Sequence, residues 1–251
     1  MCSLVIDFAP DADWPVVLAA NRDEMLDRAW DPPGRHWPDR PNVVAGRDRL
    51  AGGTWLGLND EGVVAGVLNR VDSLGPKPGF RSRGELVLEA LDHADAAAAA
   101  AALGALDPRA YRSFNLVIAD NRDAFWLRNR GEAGVDRVET VHLSPGLSML
   151  TAHDRNDPAS GRIRGFLPRF TAALRPDPTA PDDSGWSAWE GLLASRQAAE
   201  PYDAMAVVTD SGFGTVSSAL IALPAIGSAA RPIWRFAAGL PGDAAFRRVA
   251  I

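Results

Sequence analysis

The sequence predicts an α+β fold in which two mainly antiparallel sheets pack on each other with helices outside. Two observations carry this expectation. Period-two apolar patterning with short polar turns occupies the start, middle and end of the chain, and two blocks of helical patterning separate these regions. Strands that are apolar on one face, alternating with helical blocks, fit layered sheets covered by helices. At 251 residues, with 47% hydrophobic and 23% charged residues, the chain has apolar material for a sizeable core. It is expected to form one domain, residues 1–251.

Taken in order, Ser3–Phe8, Pro15–Ala20, Thr54–Leu58 and Val63–Leu68 read as strands, with Asn59-Asp60-Glu61-Gly62 as the turn between the last two. The intervening WDPPGRHWPDRP, Trp30 to Pro41, is dense in proline, glycine and charge and is expected to hold no regular element. It reads either as a lid over a site or as a solvated connection. A helix is expected from Arg83 to Leu106, with a run of alanines at Ala96–Ala102 and a break at Gly104 as one option. Ser82 and Glu85 fit a capping box at its start. Phe114–Ala119 and Ala124–Arg128 suggest a strand pair around Asp120–Asp123, followed by apolar stretches near Thr140–Leu143 and Leu147–Thr151. Helices are expected at Ser160–Leu174 and Trp186–Gln197, separated by the loop RPDPTAPDD, and strands at Ala204–Thr209, Val216–Leu223 and Ile233–Ala237.

The formal net charge of −6 argues against a nucleic-acid or anionic-membrane partner. There is no apolar stretch near the roughly 18 residues a membrane span requires, and no basic segment precedes the first apolar residues, so a cytoplasmic protein without stable membrane insertion is expected. The four histidines, His36, His93, His142 and His153, lack zinc-ligand spacing. No GxSxG elbow offers a serine nucleophile. With a single cysteine there is neither an intrachain disulfide nor a CxxC pair.

That cysteine is Cys2. Loss of Met1, which the small second residue permits, would put a thiol and a free α-amine of pKa roughly 7.7–8.0 on one residue. Such an amine activates a weak nucleophile at neutral pH. The plain alternative is a cysteine that merely follows the initiator methionine.

The opening Met1-Cys2, then Ala20-Asn21-Arg22-Asp23-Glu24, Gly52-Gly53-Thr54-Trp55-Leu56-Gly57, Asn69 and Ser82-Arg83-Gly84-Glu85-Leu86 resemble the successive motifs of the NRDE family. Phe114-Asn115-Leu116 and Gly214-Thr215-Val216-Ser217-Ser218 extend the similarity. That family in turn resembles the N-terminal-nucleophile hydrolases, notably the cysteine amidases acting on conjugated bile acids and penicillin V. The resemblance implies a four-layer αββα sandwich and a hydrolase or acyltransferase acting on a linear amide or related acyl bond of a small molecule. It implies Cys2 as nucleophile, with Arg22 depressing its pKa and Asp23 holding its α-amine. Asn69 corresponds to the asparagine that donates to the oxyanion hole. No metal or organic cofactor is implied.

Several of these residues also have a purely structural reading. Asn21 and Glu24 fit the start of a helix. Asn69 fits a strand end bonding to nearby backbone. Trp55 reads as a flat wall of a substrate pocket, or Gly52-Gly53 as a bulge leading into a core strand. Two positions depart from the amidase pattern: Ala152 or His153 stands where a second oxyanion asparagine is found, and Val216 stands where many family members carry arginine. The competing functional expectation is a non-enzymatic carrier of haem or a lipid-like ligand, since NRDE members have been linked to haem trafficking and lipid metabolism.

Overall fold

The computed structural model describes residues 2–132 and 135–251, and these fall into two compact units, one made of residues 2–28 with Pro145–Ala250 and one of Ala29–Ser144 with Ile251. Met1, on which the unmasking of Cys2 depends, lies outside the described residues. Each unit is a fully antiparallel sheet with two α-helices on one face, the components of the expected α+β fold.

In the first unit the strand order is β10 (Gly146–Leu150), β1 (Ser3–Phe8), β2 (Val16–Met25), β11 (Phe213–Leu223), β12 (Ile233–Ala237) and β13 (Arg247–Arg248). One face carries Val5, Val17, Ala19, Met149, Leu220 and Ala222, the alternate residues of four neighbouring strands. Helix α3 (Gly161–Ala172) covers it with Ile163, Phe166 and Phe170, a single stripe at helical spacing, and α4 (Ser187–Leu193) adds Trp189 and Leu193. Phe170 and Trp189 meet edge to face, their ring centroids 5.2 Å apart. Ser160 caps α3 by accepting from the amide of Ile163, as the boundary of the expected helix suggests.

The second unit runs β3 (Trp30–Gly34), β4 (Val43–Asp48), β5 (Leu56–Asn59), β6 (Val64–Asn69), β7 (Phe114–Ala119), β8 (Ala124–Asn129) and β9 (Glu139–His142). Helices α1 (Gly84–Leu91) and α2 (Ala96–Gly104) bury Leu86, Val87, Ala99, Ala100 and Leu103 against Val43, Ala65, Leu116, Ile118 and Leu127.

Several expectations are corrected. The segment after Trp30 does hold a strand, because β3 is an edge strand: Pro32 and Pro33 fall in the register shift between Asp31 and Gly34, where no ladder donor is needed. The single helix over 83–106 is two helices. Asp95 breaks it by capping the amide of Ala98, and the carboxylate of Asp120 takes the amide of Ala96. The capping box at α1 does not form: Ser82 Oγ accepts from Gly84 rather than Glu85, and Glu85 turns to Arg81. The 204–209 segment is no strand beyond a bridge between Val208 and Gly214, since Ala206 donates to Ser195 and the carbonyl of Met205 accepts from the side chain of Asn21.

Candidate active site

The first two motifs meet where β1 and β2 pair. Ser3 lies opposite Asn21 in this register, which sets Cys2 beside Arg22 and Asp23. Cys2 Sγ donates to the main-chain carbonyl of Asp23 over 3.7 Å, and the thiol is partly buried. Burial pushes the Cys2 thiol up, and the charge of Asp23 pushes the same way, against smaller downward effects from the Asp23 carbonyl bond and the Arg22 guanidinium. Cys2 therefore rests as a thiol at neutral pH and requires a base to act as a nucleophile.

Alternation along β2 sends the side chains of Asn21 and Asp23 to the face of Val17 and Ala19, under the helices. Asn21 Nδ2 donates to the carbonyls of Leu193 and Met205 at 3.0 and 2.8 Å, and its Oδ1 accepts from Ser218 Oγ at 2.6 Å. The helix-start reading of Asn21 and Glu24 is thereby overturned: pairing with β1 and β11 on its two sides holds this segment as strand.

Asp23 is held at both carboxylate oxygens. Oδ2 accepts from Arg162 Nη1 at 2.9 Å, with side-chain exposures of 3% for Arg162 and 0% for Asp23, and Oδ1 accepts from Thr215 Oγ1 at 2.6 Å. Thr215 Oγ1 accepts in turn from the amide of Val207. Arg162 also donates to Ser3 Oγ at 3.4 Å and to the carbonyl of Tyr202 at 2.9 Å. Arg22 alternates to the opposite face of β2, where it is buried, with Nη2 3.8 Å from the carboxylate of Glu24. Arg22 and Asp23 thus both come to Cys2, the first through its charge and the second through its main-chain carbonyl.

The late motif lies on β11, where Thr215 pairs with Asp23, Ser217 with Arg22 and Ser218 with Asn21; the register shift leaves Val216 between the paired residues. No cation is supplied from that position. Arg162, which supplies one from α3 instead, escaped sequence reasoning, although one signal was present. An arginine in the first turn of a helix opposes the macrodipole, and α3 has no acidic residue there to offset it. At the departure after β10, Ala152 is buried, and His153 and Thr151 line a cleft of about 190 Å³ with Ser160, Arg162, Arg164 and Asp203.

Asn69 and Trp55 belong to the second unit. Asn69 is the last residue of β6, paired with Phe114 and half-buried. Among the described residues its carboxamide makes no hydrogen bond, whereas Asn59, Asn115 and Asn129 of the same unit are engaged by backbone or side-chain partners. The strand-end role, in which Asn69 binds nearby backbone, is therefore not the one it fills. Trp55 stacks over Gly46, where an added Cβ would come within 2.4 Å of the indole, and meets Trp30 edge-on at 5.8 Å. Gly53 approaches Gly84 so closely that a Cβ would lie 2.6 Å from the backbone of Gly84, and the amide of Thr54 donates to the carbonyl of Gly84. These glycines join two family motifs. Among the described residues no group of three or more His, Cys, Asp or Glu side chains is arranged to hold a metal ion, and no helix is long and apolar enough to cross a membrane.

Comparison with known proteins places these motifs. The sequence model of a family described as Transport and Golgi organisation 2 matches residues 1–206. The Transport and Golgi organization 2 homolog of Mus musculus is 29% identical over 161 residues, which cover 58% of this chain and 55% of the mouse protein. The chain spans about half the length of the curated relatives it matches. Among solved structures, the Caenorhabditis elegans ortholog of N-acylethanolamine-hydrolyzing acid amidase is similar with a TM-score of 0.60 at 12% identity, over 88% of this chain and 92% of that one. Penicillin V acylase from Agrobacterium tumefaciens is similar with a TM-score of 0.52 at 16% identity, over 94% of this chain and 83% of that one. At such identities the likeness is one of fold, and it is the N-terminal-nucleophile hydrolase fold implied by the sequence motifs.

Proposed function

Because the chain belongs to the Transport and Golgi organisation 2 family and has the fold of the N-terminal-nucleophile amidases, we propose that it is a cysteine hydrolase or acyltransferase of that type, acting on a linear amide or related acyl bond of a small molecule. The observation that carries this reading is the setting of Cys2. Its thiol is tied to the Asp23 carbonyl, next to a buried Arg22, at the end of a strand pair fixed by a buried polar network.

With Met1 removed, the Cys2 α-amine, of pKa roughly 7.7–8.0, accepts the thiol proton. Sγ attacks the acyl carbon and a tetrahedral oxyanion forms. Its collapse breaks the bond to the leaving nitrogen, which takes the proton back from the amine. Water, or another acceptor in an acyl transfer, then attacks the thioester by the same relay and frees Cys2. Asn69, whose amide makes no hydrogen bond among the described residues, is proposed as the oxyanion donor, a role worth about 3–4 kcal/mol of barrier. Trp55 is proposed as a wall for the substrate. The similar solved structures are named for the hydrolysis of N-acylethanolamines and for the acylase of penicillin V, so a non-peptide amide is the proposed bond class. The mechanism requires no metal or organic cofactor, and the acidic composition and lone thiol suit the cytoplasm.

The test is an intact-mass experiment on purified protein offered a panel of p-nitrophenyl acyl esters and N-acyl p-nitroanilides. The expected result is loss of Met1, a transient acyl adduct and release of the chromophore, all chromophore release disappearing in Cys2→Ala. Retained Met1 sinks the amine-as-base mechanism. Absence of adduct and turnover across the panel, with Cys2-dependent binding of added haem, replaces the enzyme with the carrier.

A further inference from the structure

Arg162 lies outside every motif that resembles the family, yet it is the most deeply placed cation of the first unit that reaches β1 and β2. From α3 it crosses to the sheet and touches Ser3 on β1, the carboxylate of Asp23 on β2 and the carbonyl of Tyr202, with only 3% of its side chain exposed. Its place in the first turn of α3 is unfavourable for a cation by the helix macrodipole. The local structure is shaped to keep it there. The residue before it is Gly161, where an added Cβ would come within 1.9 Å of the Asp203 carboxylate, so that an acidic group stands against the helix start. A buried ion pair of this sort seldom exceeds an apolar replacement in stability, which points to a role beyond stability.

We propose that Arg162 is a positioning residue for Cys2: by holding the Asp23 carboxylate on the helix face, it fixes the Asp23 main-chain carbonyl on which the Cys2 thiol rests, and balances the negative charge beside that thiol. Asp23 is then the intermediary, its carboxylate toward α3 and its carbonyl toward Cys2. Thr215 completes the grip from β11, at the bulge where Val216 brings no charge. Among the described residues, the charges that act on the thiol are Asp23 and Arg22 on β2; Arg162 on α3 reaches it through Asp23, and His153, Arg164 and Asp203 stand in the cleft that Arg162 lines. Asp23 raises the Cys2 pKa and Arg22 lowers it, so removal of the cation paired with Asp23 shifts the balance upward.

The proposal rests on Cys2 as the working residue of the proposed function, but its test does not need turnover. Cys2 is the single cysteine of the chain, so alkylation by iodoacetamide, followed by intact mass, reads one thiol. In R162M the midpoint of the rate–pH profile is expected to rise by about one unit, as a like charge left unbalanced beside an ionising group does. R162K is expected to recover at least half of that shift. In D23N the midpoint falls, and R162M added to D23N changes it no further, because the effect runs through Asp23. An unmoved midpoint in folded R162M, or an equal shift with and without D23N, overturns the proposal. Should R162M fail to fold by circular dichroism, R162Q and R162K take its place, and coincident profiles for the two overturn it equally. Shifts without turnover of any acyl substrate sink the hydrolase reading alone; turnover without the shifts sinks the positioning role alone.

Discussion

The two units bury polar side chains beneath their helices in different ways. In the second, Asn59, Asp120 and Asn129 attend to stray backbone groups. Asn59 takes the carbonyls of Leu91 and His93 past the end of α1, Asp120 takes the amide of Ala96 at the start of α2, and Asn129 takes the carbonyls of Pro108 and Tyr111. These contacts satisfy helix ends and turns that would otherwise be orphaned inside the protein. In the first unit Asn21 does the same for the carbonyls of Leu193 and Met205, but buried side chains there also pair with each other: Asp23 with Arg162 and Thr215, and Asn21 with Ser218. Stability alone does not call for a buried ion pair under a sheet, because desolvation offsets most of its attraction. A side-chain network does fix one geometry, and this one ends at Cys2. Under the proposed function, the contrast separates polar groups required by the fold from those that hold the setting of Cys2.

The largest expected effect breaks that network in half. Arg162→Met takes the arginine away from the buried Asp23 carboxylate, and the loss is about 3–5 kcal/mol in urea unfolding. Replacing both, as Asp23→Leu with Arg162→Met, is expected to recover most of that stability while the reactivity of Cys2 stays altered. A double variant as unstable as the single one would mean that the network is a structural necessity and erase the contrast between the units. In the second unit Asn59→Ala leaves two carbonyls and the amide of Val63 unsatisfied, a loss of about 1–3 kcal/mol with the midpoint of Cys2 alkylation unchanged. A shift of that midpoint would show that polar groups of both units serve the site.

An effect of similar size is expected where two motifs touch. In Gly84→Ala the new Cβ falls 2.9 Å from the amide of Thr54, against backbone that cannot swing away. Overpacking of this kind is destabilising by about 1–3 kcal/mol, readable as a lowered urea midpoint with m unchanged. A wild-type midpoint in Gly84→Ala would show that the close approach with Gly53 carries no constraint.

How far the sequence reveals this arrangement depends on the range of the interactions. Ser3–Phe8, Phe114–Ala119 and Ile233–Ala237 coincide with β1, β7 and β12, because alternation and turn residues are local signals. Edge strand β3 was hidden by Pro32 and Pro33, whose effect depends on whether a neighbour needs the missing donor. The division of α1 from α2 was hidden because half of its cause, Asp120, lies 24 residues beyond the amide it binds. At the candidate site, the meeting of Cys2, Arg22 and Asp23 was legible from motif order. Arg162 was not, since its partner is 139 residues away and nothing local states the pairing. What its neighbourhood does state is a conflict, two arginines in the first turn of α3 where the macrodipole disfavours cations. A local preference violated in this way marks a residue held for a tertiary reason.

The smallest expected effect sharpens the comparison through a second aspartate held by arginines. Asp31 accepts from Arg47 Nε at 2.8 Å and Arg49 Nε at 2.6 Å, but those arginines are 40% and 60% exposed, unlike Arg162. The hydrogen bond from Arg49 is the main reason that the Asp31 carboxyl is held down to about 2, with Arg47 adding to it against some desolvation. Its folded value thus lies below that of the unfolded chain, roughly 3.9. Between these values the unfolded chain binds a proton that the folded chain does not, so stability rises with pH across the window. The contribution is fully present above pH about 4 and is lost as pH falls through about 2. Asp31→Asn is expected to flatten the dependence of the urea midpoint on pH between about 4.5 and 3, and added salt to weaken it in the wild type, since the partners face solvent. Parallel midpoints for the two proteins would show that the exposed arginines confer no pH-dependent stability, leaving the buried pair of the first unit as the one aspartate–arginine contact of these two that the fold registers.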